Sequence, residues 1–351
     1  MQKKLLIKVI ALIMVIAVIV GCGSHDTAKL SAEPSDKNSD NQELIVIGFS
    51  QVGAESDWRK ANTESMKNTF TEENGYKLIF SDAQQKQNNQ ITAIRTFIQQ
   101  EVDYIVLAPV TENGWDTVLS EAKEANIPVI IVDRMVNVED SSLFTCWVGS
   151  DFKLEGDKVC KWLKAYADNN EIEPQDIHIV NIQGTLGASS QIGRSRGLRD
   201  AITRYGWDLK REAQGEYTQA KAREVMTKIL NDLKDVNVVY CENDNEAFGA
   251  IEAIEAAGRV PGSDIMSGQI MVLSFDGVSE QAIEYAKAGK ISCIGECNPL
   301  HGPRVRSIIE SLEKGEPPNK YEYVMESLFS SVGGITSVEC EGESSPVVFL
   351  N

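Results

Sequence analysis

Several short segments place charged or aromatic side chains where apolar runs of the chain break off. Glu55, Trp58 and Arg59 follow the run 44–49, and Asp133-Arg134 close the run 129–132. Arg194 ends the glycine-rich stretch GTLGASSQIGR, Tyr217 follows Gly215-Glu216, and Asn243-Asp244 follow Cys241-Glu242. Asp276-Gly277 come after Phe275, and Glu296 ends the late run 291–295. Carboxylates and amide oxygens accept hydrogen bonds while arginine and amide nitrogens donate them. A polyhydroxylated ring, whose hydroxyls do both, is the natural partner of such a mixture. Bonds to ionised groups are about twice as strong as neutral ones. Trp58 and Tyr217 offer flat faces for the apolar C–H side of the same ring. Taken singly, Asp133-Arg134 reads as a surface ion pair, Asp276-Gly277 as a turn and Asn243-Asp244 as a helix cap. Trp58 alone reads as a packing residue. Their recurrence at successive run ends is what points to one shared site.

The elements that must position these residues alternate. The run 44–49 is short and apolar throughout, as a strand buried on both faces is. A helical stretch follows to about Asn74, where Gly75 stops it, and 76–80 reads as the next strand. Ile91, Ile94 and Ile98 fall on one helical stripe, strand 104–109 follows, and helix 114–126 leads into strand 129–133. The rhythm restarts after Ser150. Helix 152–168, strand 177–182, a helix to Tyr205, strand 207–212, helix 220–232, strand 236–241, helix 245–257 and strand 270–275 complete the series. Repeated strand–helix units predict an α/β fold of two doubly wound parallel-sheet lobes. Right-handed crossovers then gather the loops after each strand's carboxyl end along one rim, where a ligand sits.

The first residues set the compartment. Lys3, Lys4 and Lys8 precede the twelve-residue apolar run 9–20, which suits a signal peptide and is short of the roughly 20 residues of a membrane span. It ends in Ile19-Val20-Gly21-Cys22, which resembles a bacterial lipoprotein signal with cleavage after residue 21 and acyl (palmitate) chains on Cys22. Residues 22–43 carry almost no large apolar side chains and read as a flexible tether. Loss of three lysines with residues 1–21 moves the formal charge from −18 to −21. Such an acidic chain argues against nucleic acid as a partner. The cysteines beyond Cys22 (Cys146, Cys160, Cys241, Cys293, Cys297 and Cys340) form no CxxC pair, and the histidines are scattered. Neither a metal site nor a cofactor is expected. The cysteines read as small buried hydrophobes, with their disulfide state left open.

At the segments Phe49-Ser50, Val132-Asp133-Arg134, Gln183-Gly184-Thr185, Glu242-Asn243-Asp244 and Ser274-Phe275-Asp276-Gly277 the chain resembles the ribose/galactose type of sugar-binding proteins. The stretches IGFSQVGAESDWRKANTESMK, GEYTQAKAREVM and the long segment 81–134 resemble the galactofuranose-binding type served by ABC importers. The resemblance implies a type I periplasmic binding protein fold, two Venus-flytrap lobes joined by three crossings. The N-terminal lobe is then 44–149 plus 297–324, and the C-terminal lobe 150–296 plus 325–351. It implies that Trp58 and Tyr217 sandwich the sugar and that Arg59, Asp133, Arg134, Arg194, Asn243 and Asp276 hydrogen-bond hydroxyls. Glu296 stands where ribose binders carry glutamine. Ile192 stands where they carry arginine, which Arg194 replaces. These departures favour a hexofuranose, galactofuranose first and arabinose as its shorter analogue. The segment after Met325 has no clear counterpart.

The expected protein is a monomeric, membrane-anchored binding lipoprotein without enzymatic activity, which hands a monosaccharide to an ABC importer permease. A receptor for a sensor kinase or chemoreceptor using the same site is the alternative. A secreted glycoside-processing enzyme is a weaker one, because His178 falls in a strand and His301 at a helix start.

Overall fold

A computed structural model describes residues 43–351; the signal, the tether and Cys22 lie outside the described residues. Two sheets carry the fold, each sandwiched between helices. The first contains β1 (Ile45–Gln51), β2 (Tyr76–Asp82), β3 (Tyr104–Leu107), β4 (Val129–Val132), β5 (Cys146–Gly149) and β11 (Tyr321–Tyr323). Its order is β11-β5-β4-β3-β1-β2 and all of its pairings are parallel. The second contains β6 (His178–Gln183), β7 (Asp208–Gln214), β8 (Val238–Cys241), β9 (Met271–Asp276), β10 (Cys293–Glu296), β12 (Leu328–Ser330), β13 (Ser337–Cys340) and β14 (Glu343–Phe349), in the order β13-β14-β12-β10-β9-β8-β6-β7.

Apolar residues on both faces explain why the strands read as unbroken runs. In β3, Tyr104 and Val106 face α1 (Asp57–Thr69) and α9 (His301–Glu313), while Ile105 and Leu107 face α2 (Gln87–Gln99) and α3 (Asp116–Glu124). In β8, Val238 and Tyr240 meet α4 (Phe152–Asn169) and α5 (Ser189–Tyr205). Val239 and Cys241 meet α6 (Gln219–Asp232), α7 (Asp244–Ala256) and α8 (Glu280–Lys287). Close crossing of α4 and α5 depends on Gly156 and Gly197: a Cβ on Gly197 would sit 2.8 Å from the Asp157 nitrogen, and one on Gly156 2.9 Å from the Arg194 carbonyl. That closeness brings Glu155 and Arg194 together.

Strand β5 and helix α8 had no counterpart in the sequence reading. The buried face of α2 is Gln90, Ala93, Ile94 and Phe97, so Ile91 and Ile98 are only half-buried flanks of the expected stripe. The C-terminal segment forms its own edge. β12 pairs antiparallel with β10, β14 lies parallel beside β12, and β13 returns along β14. The turn between them, Glu341-Gly342, has both residues at positive φ (53° and 86°), the geometry of a two-residue hairpin. The chain passes between the sheets three times, at 150–151, 297–300 and 324–327. Among the described residues, no helix is long and apolar enough to cross a membrane.

All six described cysteines are free and buried. Burial pushes the Cys146 thiol up to about 12 and raises Cys160, Cys241, Cys293 and Cys297 as well. The thiolate is the reactive form. A colorimetric thiol reagent at neutral pH is therefore expected to label none of the six in the native protein and all six in guanidinium; rapid native labelling would contradict this packing.

Candidate functional site

The carboxyl ends of both sheets face one narrow cleft between the lobes. It is lined by Trp58, Arg59, Asp133 and Arg134 from the first lobe and by Arg194, Tyr217, Asn243 and Asp276 from the second, with Ser56, Phe152, Ser190 and Cys297. The lobes touch across it. The Asp57 amide donates to Asn245 Oδ1 (2.9 Å), the Glu112 amide to the Gly187 carbonyl (2.9 Å), and the Met135 amide to Ser189 Oγ (2.8 Å).

On the first lobe, Ser56 caps α1 by accepting from the Arg59 amide, which sets Trp58 and Arg59 on the first turn. Arg59 Nη2 lies 2.8 Å from Asp133 Oδ2, and its Nε lies 3.4 Å from Glu55 Oε1. Burial disfavours the Arg59 cation, but Asp133 and Glu55 outweigh it and hold the guanidinium above its usual range. Arg134 donates to the Val110 carbonyl and stacks over the Tyr217 ring at 5.2 Å, a contact between the lobes. Its Nε is buried without a hydrogen-bond partner, and so is Asp133 Oδ2, which meets Arg59 as an ion pair outside hydrogen-bond geometry. Buried polar atoms of this kind await a partner. Trp58 donates Nε1–H to the Cys297 carbonyl (2.8 Å), and the His301 ring packs edge-on behind it. Burial pushes His301 down to about 4, and its Nδ1 meets Asn62, so the imidazole buttresses Trp58 and does not line the space.

On the second lobe, Arg194 reaches four groups. Its Nε donates to Glu155 Oε2 (2.7 Å), its Nη1 to the Glu242 carbonyl, and its Nη2 lies 3.4 Å from Asp276 Oδ1. Its guanidinium stacks on Phe275 at 4.7 Å. Three buried acids at the start of α7 grip three loops. Glu242 Oε2 accepts from the Gly184 amide (2.9 Å), Asp244 Oδ2 from the Gly277 amide (2.7 Å), and Glu246 Oε1 from the Tyr217 amide (2.9 Å). Between them Asn243 caps α7 and reaches the space. Tyr217 hydrogen-bonds Ser190 Oγ at 2.7 Å. Gly184 must lack a side chain, because a Cβ there would lie 2.0 Å from the Tyr217 ring. Asp133, Tyr217 and Asp276 have φ of 62°, 59° and 103°, and backbone strain of this sort gathers at ligand sites.

Of the ten expected binding residues, Trp58, Arg59, Asp133, Arg134, Arg194, Tyr217, Asn243 and Asp276 line the space; Glu55 and Glu296 do not. Glu55 lies beneath it, pairing with Arg59 and reaching 3.7 Å from Arg134. Glu296 lies outside the wall. Its Oε2 accepts from the Ser327 amide beside the third crossing, and the next residue, Cys297, takes the place in the wall. Phe152, Ser190 and Ser56 went unread. Ser190 lies in the quoted glycine-rich stretch, and Phe152 is the first helical residue after a crossing.

Residues 47–299 match the family model described as a periplasmic binding protein domain. A galactofuranose-binding protein of Escherichia coli (strain K12) is 38% identical over 290 residues, 81% of this chain and 87% of the relative. A crystal structure from Mycobacterium smegmatis in complex with β-D-fucofuranose is 38% identical, covers 82% of this chain and 91% of its own, and superposes with a TM-score of 0.76. The binding protein of an arabinose ABC transporter from Shewanella sp. ANA-3, bound to α- and β-L-arabinofuranose, is 39% identical over 81% of this chain and 91% of its own, with a TM-score of 0.75.

Burial pushes Glu242 up to about 7 and Asp244 up to about 6, against hydrogen bonds that favour their charged forms. Unfolded carboxyls titrate near 4, so the native state holds more protons between roughly pH 4 and 7. Stability from these two groups is therefore fully present below about pH 4 and falls as pH rises through 6 and 7. Denaturant melts across this range are expected to show that decline, flattened in Glu242→Gln; an unchanged slope in the variant would refute the assignment.

Proposed function

We propose that this chain, which belongs to the periplasmic binding protein family, captures one monosaccharide in its furanose form and delivers it to an ABC importer. The observation that carries this is the shared cleft itself. Donors and acceptors from both lobes converge there beside three aromatic rings (Trp58, Phe152 and Tyr217). Arg59, Asp133 and Arg134 then meet hydroxyls on one side, and Arg194, Asn243 and Asp276 on the other. A missing or inverted hydroxyl leaves one of these buried groups unpaired, which is how the site discriminates. The relatives above name galactofuranose, fucofuranose and arabinofuranose, which share the five-membered ring. Glu55 holds the arginines from beneath. Among these sugars galactofuranose is the reading we favour.

The same reading places the protein outside the cytoplasmic membrane as a monomer, held by lipid on Cys22 through the 22–43 tether. One acylated cysteine keeps the folded part near the permease without a spanning helix. Radiolabelled palmitate incorporated into the wild type and absent from Cys22→Ser tests the anchor.

The ligand is tested by calorimetry and thermal shift with galactofuranose, galactose, arabinose, ribose and glucose. At a hundredfold excess over Kd a ligand adds about 2.7 kcal/mol to apparent stability. Galactofuranose or arabinose is expected to give the largest shift. Asp133→Asn removes a charged hydrogen-bonding partner worth about 1.5–3 kcal/mol, so affinity should drop roughly ten- to a hundredfold. Stabilisation by ribose alone, or by none of the five, would overturn the furanose reading.

A further inference from the structure

Behind the pocket the three crossings meet in a knot of polar side chains. Ser150 of the first crossing donates Oγ–H to Glu326 Oε1 of the third (2.8 Å), and its Oγ lies 3.4 Å from Cys297 Sγ of the second. The Asn298 amide also donates to Glu326 Oε1 (2.6 Å), and Lys158 Nζ donates to the Glu326 carbonyl (2.7 Å). Glu155, on the first turn of α4, completes the group: one ligand-type atom each from Glu155, Cys297 and Glu326 all lie within 4.8 Å of one another. All three residues are more than nine-tenths buried. Glu155 Oε2 is the partner of Arg194, whereas Oε1 is buried with no donor. Two carboxylates facing each other in a dry place repel, and neither can donate. With one proton between them they make a strong charge-assisted bond, and the orphaned Oε1 is satisfied. The flanking charges are Arg194 on α5, Lys158 on α4 and Asp276 at the end of β9. Tyr240, on β8, donates to the Arg194 carbonyl.

We propose that Glu326 is a positioning residue, which by sharing one proton with Glu155 fixes the carboxylate that aims Arg194 into the pocket and so links ligand capture to proton uptake at the hinge. This rests on the binding reading above. The chain of contacts is short: ligand to Arg194, Arg194 to Glu155, Glu155 to Glu326, and Glu326 to all three crossings. Burial, with Glu155 beside it, pushes Glu326 up to about 9 in the closed form. An open form that admits water to the knot relieves the burial and lowers that value. The proton's contribution to closure is therefore fully present below the open-form pKa and is lost as pH rises through about 9, by at most tenfold in affinity per pH unit.

The test uses the full chain, wild type and Glu326→Gln, with the sugar that binds best in the screen above. Calorimetry near neutral pH in two buffers of different ionisation enthalpy reads the protons taken up on binding, and affinity is followed from about pH 6 to 10. The wild type is expected to take up a fraction of one proton and to weaken towards alkaline pH. In Glu326→Gln the amide can accept from Ser150 and Asn298 and donate permanently to Glu155, so affinity within about threefold of wild type is expected, without buffer dependence and with a flatter pH profile. Glu326→Leu removes both roles and should weaken binding at least tenfold while the unliganded protein, checked by circular dichroism, stays folded. Sugar binding with no proton uptake, or equal pH profiles in wild type and Glu326→Gln, overturns the proposal while leaving sugar binding intact. One equivalent of Zn²⁺ that binds the wild type with proton release would overturn it too, since the knot would then serve a cation. If no sugar binds the wild type, the binding reading fails, and the proposal fails with it.

Discussion

Charges withdrawn from water must be answered by other charges, and this demand organises the molecule. Arg59, Arg134 and Arg194 are buried around one space with Asp133, Glu155 and Asp276, and with the Glu55 side chain just below. An unpaired ion in such surroundings costs several kcal/mol, so each group constrains the next. Arg59 is held between Asp133 and Glu55, and Arg194 between Glu155 and Asp276. The strand ends that carry these residues are thereby pinned to one another, and the strained backbone at Asp133 and Asp276 is held in place.

Helix α7 applies the same logic to backbone amides. The chain entering it reads Glu242-Asn243-Asp244-Asn245-Glu246. Each acid takes an amide from a different loop, while Asn243 is left to cap the helix and face the pocket. A helix N-terminus favours negative charge, which offsets part of the cost of burying three carboxylates there. The result is a rim whose Gly184, Tyr217 and Gly277 are registered against a single rigid turn. Flexible loops would have to be ordered by the ligand at its own expense.

How much of this is legible in the chain depends on whether a residue's role is local. Strand ends are local, since the apolar run stops and a polar pair follows; Asp133-Arg134, Asn243 and Asp276 could be read that way. Glu296 could not, because a strand turns successive side chains to opposite sides and nothing in the sequence says which of Glu296 and Cys297 faces inward. Glu55 was read as a ligand group for a related reason: depth beneath a surface has no signature in a sequence. Phe152 and Ser190 enter the wall through the α4–α5 crossing, a tertiary fact set by Gly156 and Gly197. β5 reads Cys146-Trp147-Val148-Gly149, without the branched aliphatic run that marks the equally short β3 and β4, and α8, at eight residues, is too short for a clear period. The C-terminal hairpin did carry a signal, the Glu341-Gly342 turn flanked by the alternating Val338, Glu339 and Cys340, but a short edge strand of this kind gives little periodicity.

What holds the lobes shut without a ligand is modest by comparison. The direct hydrogen bonds between them run from the Asp57, Glu112 and Met135 amides and from Asn245 Nδ2 to Asp57 Oδ2 (3.4 Å), and a donor that leaves such a partner can bond to water on opening. Each exchange is worth about 1 kcal/mol net. The Arg134–Tyr217 stack adds a comparable amount. Against this, closure leaves Arg134 Nε buried without a hydrogen-bond partner, and such a group costs about 1–3 kcal/mol. A guest that satisfies Arg134 Nε removes the penalty only in the closed form. That differential is what shifts a two-state population, and contacts made equally in both forms shift nothing. The groups most costly to bury are therefore also the ones that make closure conditional on occupancy.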